Sequence, residues 1–325
     1  MQSSVVKVAH AVPRAYPVGM CTEPSARNET LLLGCHLSIA KGLAAAVDAA
    51  VDLGNTALQI FTHSPSTWQM RSLPVEDVER FRRRRETSGV RYLAVHAMYL
   101  VNLASPQETL YQRSIDAMID EVRRAALLGA DALVVHVGHR MGLSQADAAR
   151  RVSSALERIL WETCEAESAM PVLLENTAGA GTAYGSTFEE LAQVLSLVGS
   201  PARVGVCLDT CHATAAGYDL STDQAVDRAL DRFDRTIGLE RLSLVHLNDA
   251  RHPIGSHRDR HEHLGRGTMG LEGIRAVVSH DALRRLPFVL ETPKTFDNDT
   301  EADPTNLSTV RVLRAQVDRS RACAR

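Results

Sequence analysis

The stretch ALVVHVGHRMGLSQADAARRVSSALERILWETCEAESAMPVLLEN, residues 132–176, holds one complete structural unit. ALVVHVG (132–138) is a short run rich in Val and Leu, which reads as a strand buried on both faces. Residues 144–166 follow with a helical pattern, and PVLLEN (171–176) is again a buried strand. Outward from this unit the same alternation repeats. Upstream lie LLLGCHL (31–37), a helix over 41–53, ALQIFT (57–62), a basic helix over 76–88, YLAVHA (92–97) and a helix over 108–128. Downstream lie a helix over 187–198, VGVCLDT (204–210), a helix over 222–237, LSLVHLND (242–249), a long loop, a helix near 271–280, PFVLET (287–292) and a helix over 304–320. Eight strand–helix units predict an α/β fold, a single-domain (β/α)8 TIM barrel over 31–320. The open doubly wound sheet is disfavoured, because no GxGxxG follows the first strand.

Six of these runs end in an imidazole or a carboxylate: His96, His136, Glu175, Asp209 (with His212 just beyond), His246 and Glu291. Asp259 and His261 stand in the long loop after the LVHLND run. Buried carboxylates and imidazoles need partners, and in a barrel all the strand C-termini open on one face. Residues far apart in sequence therefore meet there. Histidine with carboxylate suits zinc, iron or manganese. Nine such groups are too many for one ion and point to two or three, with a carboxylate bridging them.

The remaining features mostly exclude. No run approaches the ~18 apolar residues of a membrane span. A net charge of −3 carries no nucleic-acid signature, but three divalent ions would place six positive charges against four ligand carboxylates at one spot, so whole-chain charge understates the attraction of such a pocket for phosphate. The six cysteines are scattered and form no secreted disulfide framework, which favours a reducing cytoplasm. Cys207 and Cys211, flanking Asp209, read as small buried residues rather than as a thiolate zinc site. RRRR at 82–85 reads as a solvated helix face. Residues 1–30 show no period and read as a disordered extension, with organelle targeting left open.

The strings VHAMYLVNLASP, LLENTAGAG, VGVCLDTCHATAAGYDL, HLNDARHPIGSHRDRHEHLG and FVLETP resemble the endonuclease IV family of apurinic/apyrimidinic (AP) endonucleases, over residues 31–296. The resemblance implies a cytoplasmic, monomeric DNA-repair enzyme acting on double-stranded DNA that carries abasic sites or blocked 3′ ends. It implies hydrolysis of the phosphodiester 5′ to an abasic site, leaving a 3′-hydroxyl and a 5′-deoxyribose phosphate, and 3′-phosphodiesterase activity. It also implies three Zn2+ per chain, with Mn2+ as a substitute, and a metal-bridging hydroxide as nucleophile. Carried over residue by residue, His96 and His136 hold one ion, which Glu175 bridges to a second completed by Asp209, His246 and Glu291. His212, Asp259 and His261 hold the third. His257 and His263 are near neighbours of His261 but fall outside the family's ligand pattern, and His139 and His252 read as surface residues.

Tyr99 and Leu100 match the family segment that is inserted into DNA, where wedges cost unstacking that wider contact offsets. The loop after the second strand departs from the family. FTHSPSTW puts Ser66 where an arginine fills the gap in the base stack, and HVGHR stands where HPGSH is common. Two other readings compete. A sugar isomerase or epimerase on the same barrel has no use for a third group like His212, Asp259 and His261. A non-enzymatic damage-binding protein has no need of a complete ligand set.

Overall fold

A computed structural model describes residues 31–164, 170–199 and 201–323. The expected extension, 1–30, lies outside the described residues, as do parts of the segment before the fifth strand. In chain order the elements are β1 (Leu33–His36), α1 (Leu43–Asp52), β2 (Ala57–Ile60), α2 (Val75–Glu86), β3 (Tyr92–His96), α3 (Glu108–Leu127), β4 (Ala132–His136), α4 (Gln145–Glu162) and β5 (Val172–Glu175). They continue with α5 (Phe188–Leu197), β6 (Val204–Asp209), α6 (Thr210–Ala216), α7 (Asp223–Thr236), β7 (Leu242–His246), β8 (Asp249–Ala250), β9 (His261–Glu262), α8 (Gly270–Ser279), β10 (Phe288–Leu290) and α9 (Asp303–Cys323).

Eight strands close a barrel in the order β1-β10-β7-β6-β5-β4-β3-β2, and every adjacent pair in it is parallel. This is the expected TIM barrel. Two elements differ from the sequence reading. VGVCLDT does not run on as a strand to 210, because Asp209 turns the chain into α6 by accepting a hydrogen bond from His212 N. The long loop after β7 is pinned by an antiparallel ribbon of β8 and β9, with Asp249 opposite Glu262 and Ala250 opposite His261.

Strand residues alternate between two packing layers. One set, including Leu58, Ile60, Leu93, Val95, Leu133, Val135, Leu174, Val206, Leu208 and Val245, packs with helix residues such as Phe81, Ile115, Leu156, Phe188 and Phe233. The other set fills the barrel interior with Ala94, Ala132, Val134, Leu173, Cys207, Leu244 and Val289. Because the period is two, the residues that follow on the interior side are His96, His136, Glu175, Asp209, His246 and Glu291. The apolar plug therefore supports the polar ring from below. At Gly34 a Cβ would lie 1.7 Å from Ala57 O, so β1 can approach β2 only with glycine there.

The arginine run lies on α2, and three of its four members form ion pairs: Arg83 with Glu79, Arg84 with Asp48, Arg85 with Asp131. Among the described residues no helix is long and apolar enough to cross a membrane.

Candidate metal centre

The barrel brings all nine sequence-predicted groups to its C-terminal mouth. Among the described residues, donor atoms within 4.8 Å of one another form four sets, three of which hold the nine: His96, His136 and Glu175; Glu175, Asp209, His246 and Glu291; His212, Asp259 and His261; the fourth joins Cys211 to Asp209 and His261. Glu175 belongs to two sets. Its Oε2 lies 3.2 Å from His96 Nε2 and 2.9 Å from His136 Nε2. Its Oε1 lies 3.2 Å from His246 Nδ1. In the third set Asp259 Oδ1 is 3.2 Å from His212 Nε2 and 3.6 Å from His261 Nε2.

Backbone carbonyls, which can only accept, fix several of the rings. His96 Nδ1 donates to Ala97 O (2.7 Å), His212 Nδ1 to Asn176 O (2.9 Å) and His261 Nδ1 to Glu291 O (2.9 Å). Each of these rings therefore turns Nε2 towards its set. Two buried asparagines brace the carboxylates. Asn248 Nδ2 donates to Asp209 Oδ2 (2.7 Å) while its Oδ1 accepts from Glu291 N (2.8 Å), and Asn176 Oδ1 accepts from Asp209 N (2.7 Å). Asp249 holds the loop that carries Asp259 and His261, accepting from the backbone N–H of Ala250, Gly265, Gly267 and Met269.

The imidazoles and carboxylates at the mouth hold one another in their charged forms. Burial works to raise the Glu175 carboxyl, yet the His136 and His246 imidazoles outweigh it and hold the group well below the usual carboxylate range. Burial disfavours charge on His212, but Asp209 and then Asp259 drive it well above the usual imidazole value. Asp259, raised by burial, is brought down to about 2 chiefly by its hydrogen bond from His212. Glu175 Oε1, His246 Nδ1 and His261 Nε2 are buried without a hydrogen-bond partner. Each such atom costs about 1–3 kcal/mol, and three of them gathered among carboxylates fit divalent ions bound by nitrogen and oxygen.

Other expectations are placed as follows. Tyr99 is 63 % exposed at the mouth, edge-on to Phe61 (5.3 Å) and His96 (5.8 Å). Leu100 packs partly against the core. Ser66 is exposed, as is His139, and His252 is half-buried. His263 is buried against Phe296 and Asn306, away from the three sets. His257 Nδ1 faces Ala178 O (3.1 Å). Cys207 and Cys211 are buried; burial pushes the Cys207 thiol up to about 12, and the Cys211 thiol donates to Arg260 O. The sequence reading passed over His36, Gln59, Asn176 and Asn248. His36 had the same signal as the others, an imidazole closing the apolar run LLLGCH. Gln59 was visible as the lone polar residue inside ALQIFT before its final Thr62.

A closed parallel barrel with donor sets at its mouth defines a metal-binding TIM-barrel enzyme, and the family model described as Xylose isomerase-like TIM barrel matches residues 47–314. Within that class the chain belongs to the endonuclease IV family, a family of nucleases. The probable endonuclease 4 of Methanosphaerula palustris is 40 % identical over 281 residues, covering 86 % of this chain and 97 % of that protein. That of Geobacter sulfurreducens is 38 % identical over 294 residues, covering 90 % and 98 %. The crystal structure of endonuclease IV from Thermus thermophilus matches with a TM-score of 0.75 at 40 % identity, covering 88 % of this chain and 99 % of that one. A D-tagatose 3-epimerase-like protein also matches, with a TM-score of 0.65 at 16 % identity, which is a likeness of fold alone.

Proposed function

We propose that this chain is a zinc-dependent AP endonuclease of DNA repair. It hydrolyses the phosphodiester 5′ to an abasic site in double-stranded DNA, leaving a 3′-hydroxyl and a 5′-deoxyribose phosphate, and it clears blocked 3′ ends. It works as a cytoplasmic monomer, with residues 31–320 as the catalytic barrel and 1–30 as an extension to it. The observation that carries this reading is the three-part donor set, with Glu175 shared between two parts, in a chain that is 40 % identical to an endonuclease 4 relative.

Three zinc ions, with manganese as a substitute, would be held by His96, His136 and Glu175, by Glu175, Asp209, His246 and Glu291, and by His212, Asp259 and His261. Zinc at this place supplies Lewis acidity, drawing charge from phosphate oxygens and making water a competent nucleophile near neutral pH. The protein's own side chains do the rest. Four carboxylates against three divalent ions leave the mouth net positive, which attracts a phosphodiester despite the −3 charge of the whole chain. Exposed Arg251, Arg258 and Arg260, in and beside the β8–β9 ribbon, add phosphate-facing charge on the same face. Tyr99 stands beside His96 and, with Leu100, wedges the duplex so that the abasic sugar leaves the stack. With Ser66 where the resemblance implies an arginine, this loop would fill the gap in the stack less.

The test is incubation of the purified protein with an end-labelled duplex holding one abasic site, with metal quantified in the same preparation. Incision 5′ to the lesion together with three zinc ions per chain is expected. An intact duplex, or one exchangeable Mg2+ or Mn2+ in place of zinc, would refute the reading.

A further inference from the structure

We infer that Gln59 is the positioning residue of the second metal set, fixing which nitrogen His246 offers and which oxygen Glu291 offers. This rests on the metal-dependent reading above. Two strands of the barrel, β1 and β2, supply none of the nine groups. Their interior-facing ends are His36 and Gln59, which sit opposite each other in register.

Gln59 is fully buried, in a strand whose neighbours Leu58 and Ile60 face the helix layer. A buried amide is unfavourable there unless its atoms are bonded, and they are. Nε2 donates to Glu291 Oε1 (2.7 Å) and lies 3.0 Å from His36 Nδ1. Oε1 lies 2.8 Å from His246 Nε2. The orientation of the amide follows from its partners. The NH2 donates to Glu291, which leaves the carbonyl, an acceptor only, facing His246 Nε2.

Two consequences follow at once. His246 carries its proton on Nε2, so Nδ1 presents a bare lone pair. It is this Nδ1 that lies 3.2 Å from Glu291 Oε2 and has no hydrogen-bond partner. Glu291 has Oε1 engaged by the amide, so Oε2 is the oxygen left for the centre. His96, His212 and His261 are oriented by backbone carbonyls, and His246 depends on a side chain. One substitution at Gln59 therefore releases two ligands of one set and leaves the other two sets supported.

The experiment uses the zinc-loaded protein and the variant Gln59→Leu, with zinc retention measured against graded chelator. One of the three ions should bind about 10–100-fold more weakly, the usual loss when a partner orienting a metal ligand is removed, while the other two hold as in the parent. The kcat on an abasic duplex should fall with KM unchanged, since Gln59 lies below the DNA-facing loops. In a His246→Ala background, Gln59→Leu should weaken that ion less than it does in the parent, because only its hold on Glu291 is left to lose. Parental affinity for all three ions would overturn the inference. So would equal weakening of all three with a lower melting point of the metal-stripped protein, which is the mark of a packing role. A parent that holds no zinc would overturn the metal reading itself, before Gln59 is tested.

Discussion

Glu175 has no exposed surface and two donor sets to serve. An amide of the same size fills its space but neutralises nothing. Glu175→Gln is therefore expected to retain the fold by circular dichroism, lose zinc, and reduce abasic-site cleavage to background; turnover near the parental rate would exclude a bridging role. His212→Ala addresses a different set. It should remove one zinc ion per chain and lower cleavage strongly, and full activity in this variant would sink the three-ion assignment. Six of the nine groups were legible in sequence because a polar group closing an apolar strand violates the chemistry of a buried run, and His212, Asp259 and His261 were assigned through the family motifs. Gln59 was not, because the meaning of a neutral amide lies in what faces it across the barrel, and Glu291 is 232 positions away.

At the scale of elements, one carboxylate on α3 ties two mouth loops together. Glu121 Oε1 accepts from His63 Nε2 (2.9 Å) and Met98 N (3.3 Å), and Oε2 accepts from Thr62 Oγ1 (2.8 Å). Arg124 grips both ends of the first loop, through Thr62 O and Arg71 O. The residue after Met98 is Tyr99, so Glu121→Ala should loosen the wedge proposed there and leave the donor sets in place. We expect KM for abasic duplex to rise several-fold with zinc content unchanged; an unchanged KM would contradict this coupling. Gly34→Ala tests the barrel wall. Its Cβ has no room against Ala57 O, and overpacking of this kind costs about 1–3 kcal/mol or more, to be read as a lower denaturation midpoint. The strands were legible as short continuous Val- and Leu-rich runs, and the long helices because their 3.6-residue period extends far enough to register. The helix α6, at seven residues, and the two-residue strands β8 and β9 were not. They are set by caps and long-range pairing, and no repeat length announces them.

For the whole molecule, metal bound at the proposed centre would stabilise the fold. Ions that bind the folded chain alone stabilise it by about 2.7 kcal/mol when free metal exceeds the dissociation constant 100-fold. Zinc should therefore raise the melting temperature of the stripped protein. Ions held from several strands should also leave slowly, so activity should outlast a magnesium-dependent nuclease in EDTA. Rapid inactivation reversed by Mg2+ alone would argue against zinc.

The last barrel strand has a meaning in time as well as in space. β10 pairs with both β1 and β7, and Glu291 stands just beyond its end. During synthesis the N-terminal strands emerge first, and until β10 arrives the wall is open and the second donor set is one carboxylate short. Sealing the wall and completing the ligand set are thus a single event. A nascent chain therefore presents the complete donor set only once its last barrel strand is in place.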